Sequence, residues 1–231
     1  MWEDLKVYRP LDKKDISPTF KKLGLELQRR LTDYTVEQTN SIIKISRLRN
    51  GIEQGIFIEK HIGPADLQVR VSLKPIDFYK RHRFTMLNIV RLGDIMGQYR
   101  RTFYPVTQEW LELADYLKRR VENEMESYFK EFDTFDKIIK QRTKIEPRDF
   151  GLNNKYELLI YAAIKTGNSK LLSQYIDKKL ERPTMHISKA EYLKPKKDEI
   201  SEVEFLTKIK ELGQLNRFED IGEMLKRFEK K

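Results

Sequence analysis

The side chains of this 231-residue chain that could do chemistry are few and dispersed. There is no cysteine, which removes disulfides, thiolate nucleophiles and every Cys-based zinc or iron–sulfur site. His61, His82 and His186 are the only histidines and form no H-x-x-x-H pair, so neither a metal centre nor a cofactor is expected. The ten glycines contain no G-x-x-x-x-G-K, G-x-G-x-x-G or G-x-S-x-G arrangement, which leaves a phosphate cradle or a nucleophile elbow without a basis. Asp66, followed by Gln68 and Arg70 in PADLQVRV, resembles the acidic end of a metal-dependent nuclease strand. The second carboxylate and the lysine which that chemistry needs are missing, so this is the weakest reading. Glu122, Glu124 and Glu126 read as the solvated flank of a helix, not as a paired acid and base.

Cations are plentiful. The formal net charge is +10, and residues 61–104 hold the densest excess, with eight Lys or Arg against three Asp or Glu. The stretch FYKRHRF at 78–84 interleaves aromatics with charge. Together with its neighbours it defines a candidate polyanion- or partner-binding strip: Arg70, Lys74, Tyr79, Lys80, Arg81, Arg83, Arg91, Arg100 and Arg101. Cations that neutralise phosphates, beside aromatics on which bases stack, are the equipment of nucleic-acid binding. The structural alternative is a connection between strands, pinned by Phe78, Tyr79 and Phe84 with its cations in water, and the sequence favours it. No RNP-like strand, GXXG clamp or helix-turn-helix pattern accompanies the charge.

The elements that must position these residues differ between the two halves. Alternation over TDYTVEQT, SIIKISRL, GIFIEKHI, DLQVRVSL and RFTMLNIV, between about residues 32 and 92, predicts an antiparallel sheet with one face buried and one polar. Asn50-Gly51 signals a hairpin, and Ile52 to Gly55 suggest a loop longer than two residues. A short helix is expected from Ser17, as cap, with Pro18 in its first turn, to Gly24 as terminator. A long helix capped by Thr107 carries the stripe Val106, Trp110, Leu113, Leu117, Val121, Met125, Tyr128 and Phe132. It breaks at Asp133-Thr134 before a short helix at Phe135.

After the connector EPRDFGLNN, helices are expected near 153–166, 169–182, 199–212 and 216–230. They pair into two hairpins, with Gly167 and Gly213 in register at helix C-termini and Asn216 with Glu219 as a capping box. The fold class is therefore α+β. An α+β domain with helices on one face of an antiparallel sheet spans 1–145, and a helical subdomain, a C-terminal helical hairpin array, spans 146–231. Apolar residues at 39%, charged residues at 35% and no apolar run of about 20 residues point to a soluble, cytoplasmic protein with no membrane association.

The order of FKKLGL at 20–25, SIIKISRLR at 41–49, RFTMLNIV at 83–90, TFYPVTQEWLEL at 102–113 and SYFKEFDTFDKII at 127–139 resembles a bacterial domain-of-unknown-function family over residues 15–140. Leu25 and Tyr128 depart from that pattern, which prefers aromatic and Phe respectively. Some of its members occur among immunity and defence genes, and it has no established catalytic residues to carry over. What the resemblance implies is a non-enzymatic interaction protein with an immunity or defence role, neutralising a protein partner. The basic balance suits an acidic partner. Nucleic-acid binding through the strip at 70–101 is the alternative.

Overall fold

The computed structural model describes residues 9, 11–60, 66–77, 90–96, 103–145, 155–181 and 202–229. The chain divides into two compact units, Met1–Leu73 with Val90–Glu131, and Lys74–Ile89 with Phe132–Lys231. The division differs from the expected 145/146 boundary chiefly because the short helices after Phe132 pack with the C-terminal helices.

In the first unit, helix α1 (Lys13–Arg30) runs well beyond the expected 17–24 at both ends and keeps Pro18 inside it. Gly24 does not terminate it. The glycine is buried mid-helix, where a Cβ would sit 2.3 Å from Oε1 of Gln38, and Gln38 Nε2 donates to the Phe20 carbonyl at 3.0 Å. The missing side chain lets α1 approach the sheet, a requirement of packing and not of φ.

The sheet is antiparallel and contains β1 (Thr35–Gln38), β2 (Ile42–Arg49), β3 (Ile52–Lys60), β4 (Asp66–Pro75), β5 (Val90–Arg91) and β6 (Phe103–Pro105). The first four lie where alternation placed them. Of RFTMLNIV only Val90 is described, pairing with Val71; residues 83–89 lie outside the described residues. The β2–β3 turn is tight instead of extended. Arg49 pairs directly with Ile52, and Asn50 (φ 50°) and Gly51 (φ 75°) both adopt the left-handed region that a two-residue type I′ turn requires.

One face carries Gln38, Ile43, Ile45, Arg47, Ile56 and Ile58, and meets helices through Gln38 and Arg47. The opposite face was expected to be polar, yet Lys44 and Ser46 are buried there beside Phe57, and Gln68 and Ser72 of β4 are buried too. Burial of polar groups is tolerable because they find partners, as Lys44 Nζ does with Glu53 Oε2 at 2.8 Å.

The expected single helix from Thr107 is three segments. Thr107 Oγ1 accepts from Glu109 N–H just ahead of α3 (Trp110–Arg120), a π-helical turn follows at Val121–Met125, and α4 (Glu126–Glu131) completes it. Val106, Leu113, Leu117, Val121, Met125, Tyr128 and Phe132 are buried, as the stripe required, while Trp110 is half-buried and Phe129, outside the stripe, is buried with them. A four-residue helix, α2 (Leu92–Ile95), follows β5.

In the second unit, Thr134 caps α5 (Phe135–Lys140) by accepting from Lys137 N–H, and α6 (Arg142–Ile145) follows. Next come α7 (Lys155–Lys165), α8 (Ser169–Glu181), α9 (Glu202–Gln214) and α10 (Phe218–Glu229). Helix α7 packs on α5 and α8, α8 on α9, and α9 on α10.

The repeat register is not the expected one. Gly167 (φ 63°) ends α7 with Asn168 N–H donating to Ala163 O and Gly167 N–H to Ile164 O. Asn216 (φ 55°) ends α9 in the same way, through Arg217 N–H to Leu212 O and Asn216 N–H to Gly213 O. Both are Schellman caps, so Asn216 is the equivalent of Gly167 and not the N-cap of a capping box. Gly213 lies inside α9, where a Cβ would be 2.4 Å from Leu172 Cδ2 of α8. It is a contact glycine, like Gly24.

Candidate functional site

Of the basic strip, Tyr79, Lys80, Arg81, Arg83, Arg100 and Arg101 lie outside the described residues, as do Phe78 and Phe84. Arg70 is committed: its Nε donates to Gln68 Oε1 at 2.7 Å and its guanidinium lies 3.3 Å from Glu59 Oε2. Burial pushes the Glu59 carboxyl above its ordinary range, and the Arg70 charge opposes that shift. Arg91 stands opposite Arg70 in the β4–β5 register, and its N–H donates to Asp94 Oδ2 at 3.4 Å. Lys74 is half-buried near the end of β4. Asp66, the nuclease candidate, opens β4, and among the described residues no three His, Cys, Asp or Glu side chains form a metal-binding group.

The most developed polar constellation in the first unit was absent from the sequence reading. Arg47 on β2 forms a two-pronged ion pair with Glu126, Nη2 to Oε2 at 2.8 Å, and its Nε donates to Gln54 Oε1 at 2.7 Å. The Tyr34 hydroxyl donates to the same carboxylate, and the Arg47 guanidinium lies 4.8 Å from the Tyr34 ring centroid and 5.7 Å from that of Phe129. Glu126 is thus not the solvated flank expected of it.

The π turn accounts for its position. An α-helix places residue i+4 almost beneath i, whereas a π turn closes on i+5, which swings Glu126 under Val121 and towards the sheet. Burial opposes ionisation of Glu126, but hydrogen bonds from Arg47 and Tyr34 and the charges of Arg47 and Arg49 outweigh it and hold the carboxyl below its ordinary range. Burial, reinforced by the bond to Glu126, pushes the Tyr34 phenol well above its own. A neutralised carboxylate and a protonated phenol leave no poised base or nucleophile. Chemically the cluster is a clamp between sheet and helix.

The second unit offers a recess. Residues of α5, α6 and the start of α8 line a cleft of about 550 Å³, with Arg142 and Lys170 as its cations, Ile139 and Leu171 as its apolar wall, and Asn168 and Gln174 as amides. Asn168 Oδ1 accepts from Leu171 N–H at 3.0 Å, and Arg142 Nη1 donates to the Ile139 carbonyl at 3.0 Å. Among the described residues no carboxylate lines it. A faint signal existed in the sequence. Lys170 has no acidic residue three or four positions away, whereas Arg142 has isoleucine at 138, 139 and 145 and a carboxylate, Glu146, four positions on. That the two cations share a recess follows only from tertiary packing. A deeper ion pair, Lys179 Nζ to Glu157 Oε1 at 3.0 Å, ties α8 to α7 with both side chains under a tenth exposed.

No protein-family model matches the chain, and neither a curated protein nor a solved structure matches it.

Proposed function

We propose that the protein is a non-enzymatic binding protein that engages an acidic protein partner through its helical unit. The observation that carries this reading is the repeated helical hairpin. Helices α7 to α10 pack in succession, and the two hairpins close with the same pair of cap hydrogen bonds at Gly167 and Asn216. Stacked helical hairpins present side chains from successive helices on continuous surfaces, the architecture of partner-recognition scaffolds. The net charge of +10 favours a partner of opposite sign and speeds encounter with it. In the immunity or defence setting that the sequence resemblance implies, that partner is a toxin-like protein held in a stoichiometric complex.

The alternative, nucleic-acid binding through residues 70–101, loses support from Arg70, which is already engaged by Glu59 and Gln68. The test is affinity capture with the tagged full-length chain, followed by light scattering of what is recovered. A defined stoichiometric complex with one acidic protein is expected. Repeated recovery of nothing specific, with retention on heparin that collapses as salt rises, would transfer the assignment to nucleic acid.

A further inference from the structure

The cleft between α6 and the start of α8 combines three properties. It has a volume in the range of ligand recesses, about 550 Å³. Its two cations have no ion pair among the described residues, whereas Lys165, Lys210, Arg217 and Lys226 of the same unit are each matched by a carboxylate. Its wall is aliphatic, from Ile139 and Leu171, with no aromatic side chain among the described residues.

We propose that this cleft docks an extended acidic segment of the partner protein, a carboxylate pairing with Arg142 while an adjacent aliphatic side chain lies against Ile139 and Leu171. This rests on the partner-binding reading above and assigns it a site. A guanidinium with, among the described residues, only one of its N–H groups committed, to the Ile139 carbonyl, retains donors in the fork geometry that a carboxylate accepts. Lys170 adds a second, less directional charge. The amide nitrogen of Asn168 has no acceptor among the described residues and can serve a peptide carbonyl. Nucleic acid fits less well, because a recess without an aromatic platform cannot stack a base and two cations neutralise little backbone.

The test uses the full chain and a fluorescein-labelled hexapeptide, Glu-Leu-Glu-Glu-Leu-Glu, followed by anisotropy at low salt. Saturable binding is expected, weakened by at least about tenfold in R142E/K170E, whose circular dichroism should match the parent. Reversal of two exposed, already paired cations, K208E/K226E, should change affinity by less than about twofold. Should R142E/K170E fail to fold, R142Q/K170Q carries the same comparison. Equal affinity in the cleft variant and the parent, no saturable binding by the parent, or tighter binding of a uridine hexanucleotide would each overturn the proposal. A partner complex that survives R142E/K170E unchanged would overturn the cleft while leaving the partner-binding reading intact.

Discussion

Removing the Glu126 side chain tests whether the π turn and the Arg47 cluster hold the sheet unit together. In Glu126→Ala the Arg47 side chain, 7% exposed, keeps Gln54 and two aromatic faces but loses its carboxylate, and Tyr34 loses its acceptor. Leaving one partner of a buried pair uncompensated costs about 3–5 kcal/mol, and the 19% exposure of Glu126 places this case near 3 kcal/mol because water can reach the gap. Against a domain stability of about 5–15 kcal/mol that is a large loss. Trp110 belongs to the first unit, so in a Trp2→Phe background intrinsic fluorescence during urea unfolding reports on that unit selectively. The companion R47M/E126L should recover most of the loss, since an apolar pair of similar volume carries no desolvation penalty. A cost below about 1 kcal/mol for Glu126→Ala, or a double variant as costly as the two single changes together, would refute the clamp.

Acid should act on the same unit. Glu126 and Glu26 both have depressed carboxyls in the folded state, the latter held at about 2 by hydrogen bonds from Arg29 and Arg30. Their stabilising contribution is therefore complete above the ordinary carboxylate range and is lost as pH falls through each depressed folded-state value, for Glu26 about 2, which a fluorescence-monitored pH titration would show. Tyr34 runs the other way: its raised phenol contributes stability below pH 10 that is lost as pH rises past that value, and Tyr34→Phe should remove this alkaline component from the same titration. Gly213→Ala should cost about 1–3 kcal/mol in urea unfolding followed by circular dichroism, because its Cβ meets the fully buried Leu172, and Leu172→Ala should relieve the overlap. Glu157→Ala should cost about 3–5 kcal/mol by the same measurement while E157L/K179M costs little, as expected for a buried pair linking α7 to α8.

Much of the fold was legible because it is periodic. Alternation located β1 to β4, the apolar stripe located α3 and α4, and the break at Asp133-Thr134 located the start of α5, which Thr134 caps. The misreadings share a cause. Gly24, Gly213 and Asn216 were assigned by local punctuation rules, but the first two are small so that another element can approach, and the third takes the left-handed conformation at a helix end. Lys44, Gln68 and Ser72 obey the strand period yet are buried, since period reports which face a side chain shares and not what covers it. The π turn leaves the apolar stripe looking like an ordinary helix, so Glu126 passed for a surface residue. The cleft left only the unpaired Lys170 as a trace in the sequence, because Arg142 and Lys170 are brought together by the packing of α5 on α7 and not by spacing.

Hydrogen exchange of the full chain, alone and in its captured complex, tests partner binding through the helical unit most directly. The account predicts protection concentrated in α5, α6 and the first turns of α8, with the β2–β3 hairpin unchanged. Protection confined to the sheet unit, or none in the helices on complex formation, would contradict it.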